Sequence, residues 1–186
     1  MRRAALLVAL ASVGVACSTG PSEKPLCARP DDSILVLEAQ SVPSATRLPC
    51  IAELPIGWAF SGSLVRDDGT TLWLDHDRAG VRAVEVRLRA ECDVEGAVEV
   101  PPGPDEVGLR VFQAPTSLDP FVATRSIVFE GGCIQHRYRF APGSEPALVI
   151  EADRALSSLP RIEVVTEVRR DLDLSLCGAE APPCEA

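Results

Sequence analysis

The sequence predicts an α+β domain: an antiparallel meander of about six strands with two C-terminal helices packed on it, stapled by disulfides. Three observations carry that expectation. Runs with a period of two, divided by turn residues, fill the middle of the chain. A helical period takes over after residue 144. Seven cysteines are spread from Cys17 to Cys184.

Taken in order, Ile34-Leu35-Val36-Leu37 suits a buried strand. With Asp32 or Ser33 ahead as a cap and Glu38-Ala39-Gln40 behind, it equally suits a short helix, and a short apolar run does not separate the two. Pro43 and Pro49 break any longer element, so residues 43 to 56 are expected as a loop around Cys50. Trp58 to Arg66 and Thr70 to Asp75 are rich in strand formers and flank Asp67-Asp68-Gly69, a hairpin turn. Arg82 to Glu91 alternates, with Val84, Val86, Leu88 and Ala90 on one face and Glu85, Arg87, Arg89 and Glu91 on the other. These three runs form a meander. Pro101 to Glu106 is a polar loop. Val107 to Gln113, Arg125 to Glu130 and Ile134 to Phe140 supply further strands, the last two joined at Gly131-Gly132.

Ser144 is placed to cap a helix that has Glu145 and Pro146 in its first turn and Leu148, Ala152, Ala155, Leu156 and Leu159 at helical spacing. Pro160 ends it and opens a second helix with Ile162, Val165 and Val168 on one side. Leu172, Leu174 and Leu176 alternate with Asp171, Asp173 and Ser175, which predicts a last strand leading to Cys177.

The chain is acidic, with a net charge of −9, and becomes more so once Arg2 and Arg3 are removed. Such a surface repels phosphate backbones and anionic headgroups, which argues against nucleic acid as a partner. The N-terminus explains why those arginines leave. They precede an uncharged apolar run, Ala4 to Ala16, that is too short to span a bilayer and has the form of an export signal. No later run is long and apolar enough to span either.

Gly14-Val15-Ala16-Cys17 resembles the lipobox of bacterial lipoproteins, although Gly14 stands where that family usually carries Leu or another aliphatic residue. The resemblance covers only this segment. It implies that Cys17 receives a diacylglyceryl group and becomes the first residue, anchoring the protein to the extracytoplasmic face of the cell membrane by acyl chains. Gly14 and Ala16 also suit ordinary signal cleavage, which would give a secreted protein with a spare thiol. The expected organisation is a signal peptide over 1–16, a lipidated tether over 17–31, and one extracytoplasmic domain over 32–186 with a tail from 178. A flexible tether from Cys17 to Cys27 spans only about 15–20 Å, which keeps the domain near the membrane.

With Cys17 lipidated, Cys27, Cys50, Cys92, Cys133, Cys177 and Cys184 remain to form three disulfides. Sequence leaves the connectivity open. Strand-end placement favours Cys92 with Cys133, chain-end placement favours Cys27 with Cys184, and Cys50 is then left with Cys177.

Chemistry is thinly signalled. Asp75-His76-Asp77 offers two carboxylates and an imidazole, yet adjacent strand residues face opposite ways and the segment has the form of a polar turn, so no metal site is assigned. His136 shares parity with Ile134, Tyr138 and Phe140 and is expected to face the core, neutral. Ser61 and Ser63 lack a nucleophile-elbow context. No catalytic residue and no cofactor is assigned. Arg87 and Arg89 point one way on their strand, as do Arg137 and Arg139 on theirs. If the strands are neighbours, these form a candidate anion-binding patch; the alternative is a solvated face balanced by Glu85, Glu91 and Glu130.

The expected function is a non-enzymatic binding or accessory module at the cell envelope, with a protein or another envelope component as partner. The second reading is a small envelope hydrolase acting on wall glycan or a lipid-linked substrate. Two facing carboxylates, or a pocket holding His76 or His136 beside a nucleophile, would favour the hydrolase; a shallow apolar face would favour the module.

Overall fold

The computed structural model describes residues 24–184; the expected signal peptide, Cys17 and the first part of the tether, residues 17–23, lie outside the described residues. The elements run α1 (Ser33–Ser41), β1 (Arg47–Ile51), β2 (Trp58–Arg66), β3 (Gly69–His76), β4 (Gly80–Arg89), β5 (Val98–Val100), a 3-10 turn (Pro104–Glu106), β6 (Arg110–Gln113), β7 (Ser117–Leu118), β8 (Phe121–Phe129), β9 (Gly132–Arg139), α2 (Leu148–Ala155), β10 (Leu156–Pro160) and α3 (Arg161–Leu172). The fold is α+β, as expected. Its main sheet has eight strands in the order β2-β3-β4-β9-β8-β6-β5, with β7 paired to β8, and β1 and β10 form a separate two-stranded ribbon. Every strand pair is antiparallel.

The period-two runs put their apolar residues on one face. Leu72 and Leu74 of β3, Val84, Val86 and Leu88 of β4, Ile134 and Tyr138 of β9, and Phe121 and Ala123 of β8 are all buried in one core. The helix α1 and the β1–β10 ribbon cover this face, and α3 packs on α1 and β10. The Glu130-Gly131 turn between β8 and β9 tucks under the chain before β1. Gly131 has φ 74°, and a Cβ there would fall 1.7 Å from the Ser44 carbonyl oxygen, so the close approach requires glycine. Thr46 N–H and the Ser44 hydroxyl then donate to the carbonyls of Glu130 and Gly131.

Of the two forms open to Ile34–Leu37 the helix is the one seen, its start capped by the Asp32 carboxylate, which accepts from Ile34 N–H. Several other expectations need correction. The loop expected around Cys50 is instead β1, and the expected helix from Leu148 stops at Ala155, because Leu156–Pro160 pairs with β1. Long-range pairing overrides the helical spacing of Leu156 and Leu159, which bury as strand residues instead. Pro49 is tolerated because β1 has a strand partner on one side only, and the chain start bridges its other edge at Ile51 and not at Pro49. Ser144 does not cap α2; its hydroxyl donates to the carbonyls of Arg78 and Ala141. The expected strand after Leu172 is absent: Asp173, with φ 53°, ends α3, and Leu172 and Leu174 stay exposed while Leu176 buries. Ile162 likewise faces outward, and Val164 joins Val165 and Val168 in the core.

The disulfides are Cys27–Cys50, Cys92–Cys133 and Cys177–Cys184. The expected pair Cys92–Cys133 forms, while Cys27–Cys184 and Cys50–Cys177 do not. The physical reason is local. Ile51 N–H donates to Pro25 and Cys27 N–H donates to Ile51, laying the chain start beside β1 and its cysteine beside Cys50. At the other end, Gly178 N–H donates to Pro182, folding the tail back so that Cys184 meets Cys177. The segment expected as tether up to residue 31 is therefore tied to the domain from Pro25 onward.

Candidate functional site

The covering layer ends before the main sheet does. Where α2 and β10 meet the loop carrying the 3-10 turn, a cavity of about 150 Å³ opens over the inner face of β8 and β9. Arg125 of β8 and His136 of β9 are register partners on that face. Both line the cavity with Glu106 of the 3-10 turn, Asp153 of α2 and Ser157 of β10, above an apolar floor of Ile127 and Ile134.

Arg125 donates to Glu106 at 2.6 Å, with both side chains mostly buried. Gly103 N–H donates to the same carboxylate oxygen at 2.7 Å, which fixes the 3-10 turn over the sheet. Tyr138 donates its phenol proton to Asp153 Oδ1. His136 Nδ1 lies 3.3 Å from the Tyr138 oxygen and 4.0 Å from Asp153 Oδ1. Burial, reinforced by the Arg125 charge, pushes the His136 imidazole down to about 3, so it is neutral at physiological pH. Burial raises Asp153 despite the Tyr138 hydrogen bond and the Arg125 charge, and burial with the neighbouring Asp153 charge raises Tyr138. Since the phenol proton goes to Asp153, the His136–Tyr138 bond has Nδ1–H as donor. Nε2 is then left as an acceptor.

Asp75 and His76 end β3, and Asp77 opens the turn that leads to β4. His76 Nδ1 accepts from Arg78 and Ala79 N–H, and Asp75 accepts from Arg82 N–H. Among the described residues no group of three or more His, Cys, Asp or Glu is arranged to hold a metal ion.

On the outer face β4 and β9 are neighbours, which brings Arg87 and Arg137 together across Glu85. Glu85 pairs with Arg87 at 2.5 Å and Arg137 at 3.3 Å and accepts from Trp73 Nε1. Although burial opposes it, these partners hold the Glu85 carboxyl below its usual range. Arg89 turns away to the carbonyls of Thr70 and Leu88, and Arg139 is exposed. Glu85 thus neutralises much of the arginine face.

Sequence reasoning found His136 but not Arg125, Glu106 or Asp153. One signal was available: Arg125 shares strand parity with Phe121, Ala123 and Ile127, all buried, so a charge stood on a core-facing position. No protein-family model, curated protein or solved structure matches the chain.

Proposed function

We propose that the protein is a lipid-anchored, extracytoplasmic, non-enzymatic module that holds a small polar ligand or envelope component in the cavity between β8, β9, α2 and the 3-10 turn. The observation that carries this reading is the convergence of Arg125, Glu106, Asp153 and neutral His136 on one opening. Desolvating four such groups in one place is unfavourable for stability alone, and such clusters concentrate at binding sites. The anchor reading is supported by cysteine pairing: three disulfides take six of the seven cysteines, and the seventh is Cys17. A start tied down at Pro25 also shortens the tether and holds the domain closer to the membrane.

Two measurements test it. Mass spectrometry of the mature protein from native membranes should find diacylglyceryl on Cys17 as the first residue; an unmodified Cys17 defeats the anchor. Nuclear magnetic resonance with a panel of small amines, carboxylates and polyols should give saturable shifts of the His136 ring. No response from any class defeats the cavity reading.

The second reading, a small hydrolase, is favoured by the two carboxylates Glu106 and Asp153 lining one cavity, with Asp153 raised. Against it, the volume is about half the low end for ligand pockets, and among the described residues no hydroxyl hydrogen-bonds to the His136 ring apart from Tyr138. Turnover of a wall glycan by the purified domain, lost in Asp153→Asn, would establish it instead.

A further inference from the structure

We propose that the cavity binds a small primary ammonium group, held by the Asp153 carboxylate with Glu106 and the His136 ring as further acceptors. The inference rests on the cavity being a ligand site and names the chemistry of what enters it.

The open hydrogen-bonding capacity of the lining decides what it can hold. Asp153 Oδ1 accepts from Tyr138, which leaves Oδ2 open. Glu106 Oε2 is shared by Arg125 and Gly103 N–H, which leaves Oε1 open. The Asp153–Tyr138–His136 chain fixes Nδ1 of the imidazole as donor, so Nε2 offers a lone pair. The three residues that carry these acceptors, on three different elements, line one opening. On the donor side stands Arg125, whose charge is already matched by Glu106. An incoming carboxylate or phosphate would have to displace Glu106 from that pair and then meet Asp153 and Asp105, which also line the cavity. The formal charge of the lining is negative, which disfavours anions and favours a cation.

Three N–H donors on one compact charge match three acceptors, as in a lysine-type ammonium. Burial raises the Asp153 carboxyl, and a cation at Oδ2 would reverse that shift. The volume, about 150 Å³, corresponds to about five waters, so the ligand, or the part that enters, has a similar number of heavy atoms.

The test uses the full extracytoplasmic domain with ethanolamine, tetramethylammonium, acetate and ethylene glycol as probes, read by the His136 ring and backbone amide resonances. Ethanolamine should give saturable shifts there, with tetramethylammonium, which has charge but no N–H, at least about tenfold weaker. Asp153→Asn should weaken ethanolamine by about tenfold, and Arg87→Gln on the outer face should leave it unchanged. Should Asp153→Asn fail to fold, Glu106→Gln serves: it frees the Arg125 charge, so ethanolamine should weaken and acetate should gain. Binding of acetate or ethylene glycol in preference to ethanolamine overturns the ammonium assignment and leaves the cavity a ligand site. Equal binding of tetramethylammonium overturns it too. Silence from all four probes overturns both readings.

Discussion

The phenol of Tyr138, on the central strand β9, donates to the carboxylate of Asp153 on helix α2. This one bond joins the sheet to its covering layer and sets the wall of the cavity, since it fixes both the carboxylate and the tautomer of His136. Tyr138→Phe keeps the ring and removes the donor. It should cost about 1–3 kcal/mol, because a mostly buried carboxylate loses a partner. For a chain of this size that is a fall of roughly 2–4 °C in Tm per kcal/mol. Thermal unfolding checks the loss, and a carboxyl titration by nuclear magnetic resonance should show Asp153 raised further. An unchanged Tm would mean the bond contributes nothing.

His136 gives the stability a defined acid limb. Its folded value is about 3 against an ordinary 6.5, so between those values the unfolded chain binds the proton and the folded chain does not. Stability from this group is complete above about pH 6.5 and is lost as pH falls toward 3. Each unit of difference is worth about 1.4 kcal/mol, so the total loss is a few kcal/mol. His136→Gln should flatten the Tm profile between pH 6.5 and 4 relative to the parent. Parallel profiles would show that the imidazole is not held neutral.

How far these features were legible in the sequence depends on the range of the interaction behind them. Hairpins flanked by turn residues, such as β2 and β3 around Asp67-Asp68-Gly69, are local and were readable. Parity placed His136 inward for the same reason. The β1–β10 ribbon was not readable, because it joins residues 47–51 to 156–160 and no local pattern records that distant pairing. Arg125, Glu106 and Asp153 come from β8, the 3-10 turn and α2, three segments whose convergence depends on the order of strands in the sheet. The strand-end pair Cys92–Cys133 was readable, but the other two pairings failed likewise, since chain-end proximity was a weaker constraint than the hydrogen bonds that lay Cys27 beside Cys50.

Glu38 is the second buried acid and the simpler one. It is fully buried on α1, neither carboxylate oxygen has a hydrogen-bond partner among the described residues, and burial with the nearby Asp32 charge holds its pKa well above the usual carboxyl range. The folded state therefore binds this proton more tightly than the unfolded one. Its stability contribution is full below the unfolded value near 4.5 and declines as pH rises toward the folded value. Glu38→Met fills similar space without a polar group and should stabilise the protein at pH 7 by about 1–3 kcal/mol, with the gain shrinking at pH 4. Chemical denaturation at the two pH values decides it; a destabilised variant at pH 7 would show that the acid has a partner.

The three disulfides should differ in worth. They close separations of 23, 41 and 7 residues for Cys27–Cys50, Cys92–Cys133 and Cys177–Cys184. By chain entropy, replacing the Cys92–Cys133 pair with serines should cost about 4 kcal/mol and the Cys177–Cys184 pair about 2.5 kcal/mol. Non-reducing peptide mapping should find these three pairs, and denaturant midpoints should fall in that order. A larger loss from the tail pair would mean that the tail does more than close a short loop.

Arg161 explains why the tail matters at all. It is fully buried at the start of α3, and its guanidinium donates to the Ala39 carbonyl of α1 and, at 2.6 Å, to the Cys177 carbonyl. Burial pulls its pKa down from the ordinary arginine value, so the charge itself is unfavourable there. What favours it is reach: one planar group satisfies a carbonyl in the last turn of α1 and another 138 residues away in the chain's closing segment. Arg161→Met should leave both unpaired and cost about 2–4 kcal/mol. Arg161→Lys, a point donor without the fork, should recover only part of that. Hydrogen exchange should quicken both at residues 40–42 and at 177–184 in Arg161→Met, because one side chain holds the two segments. Faster exchange at only one of them would show that the guanidinium closes a helix end without binding the tail.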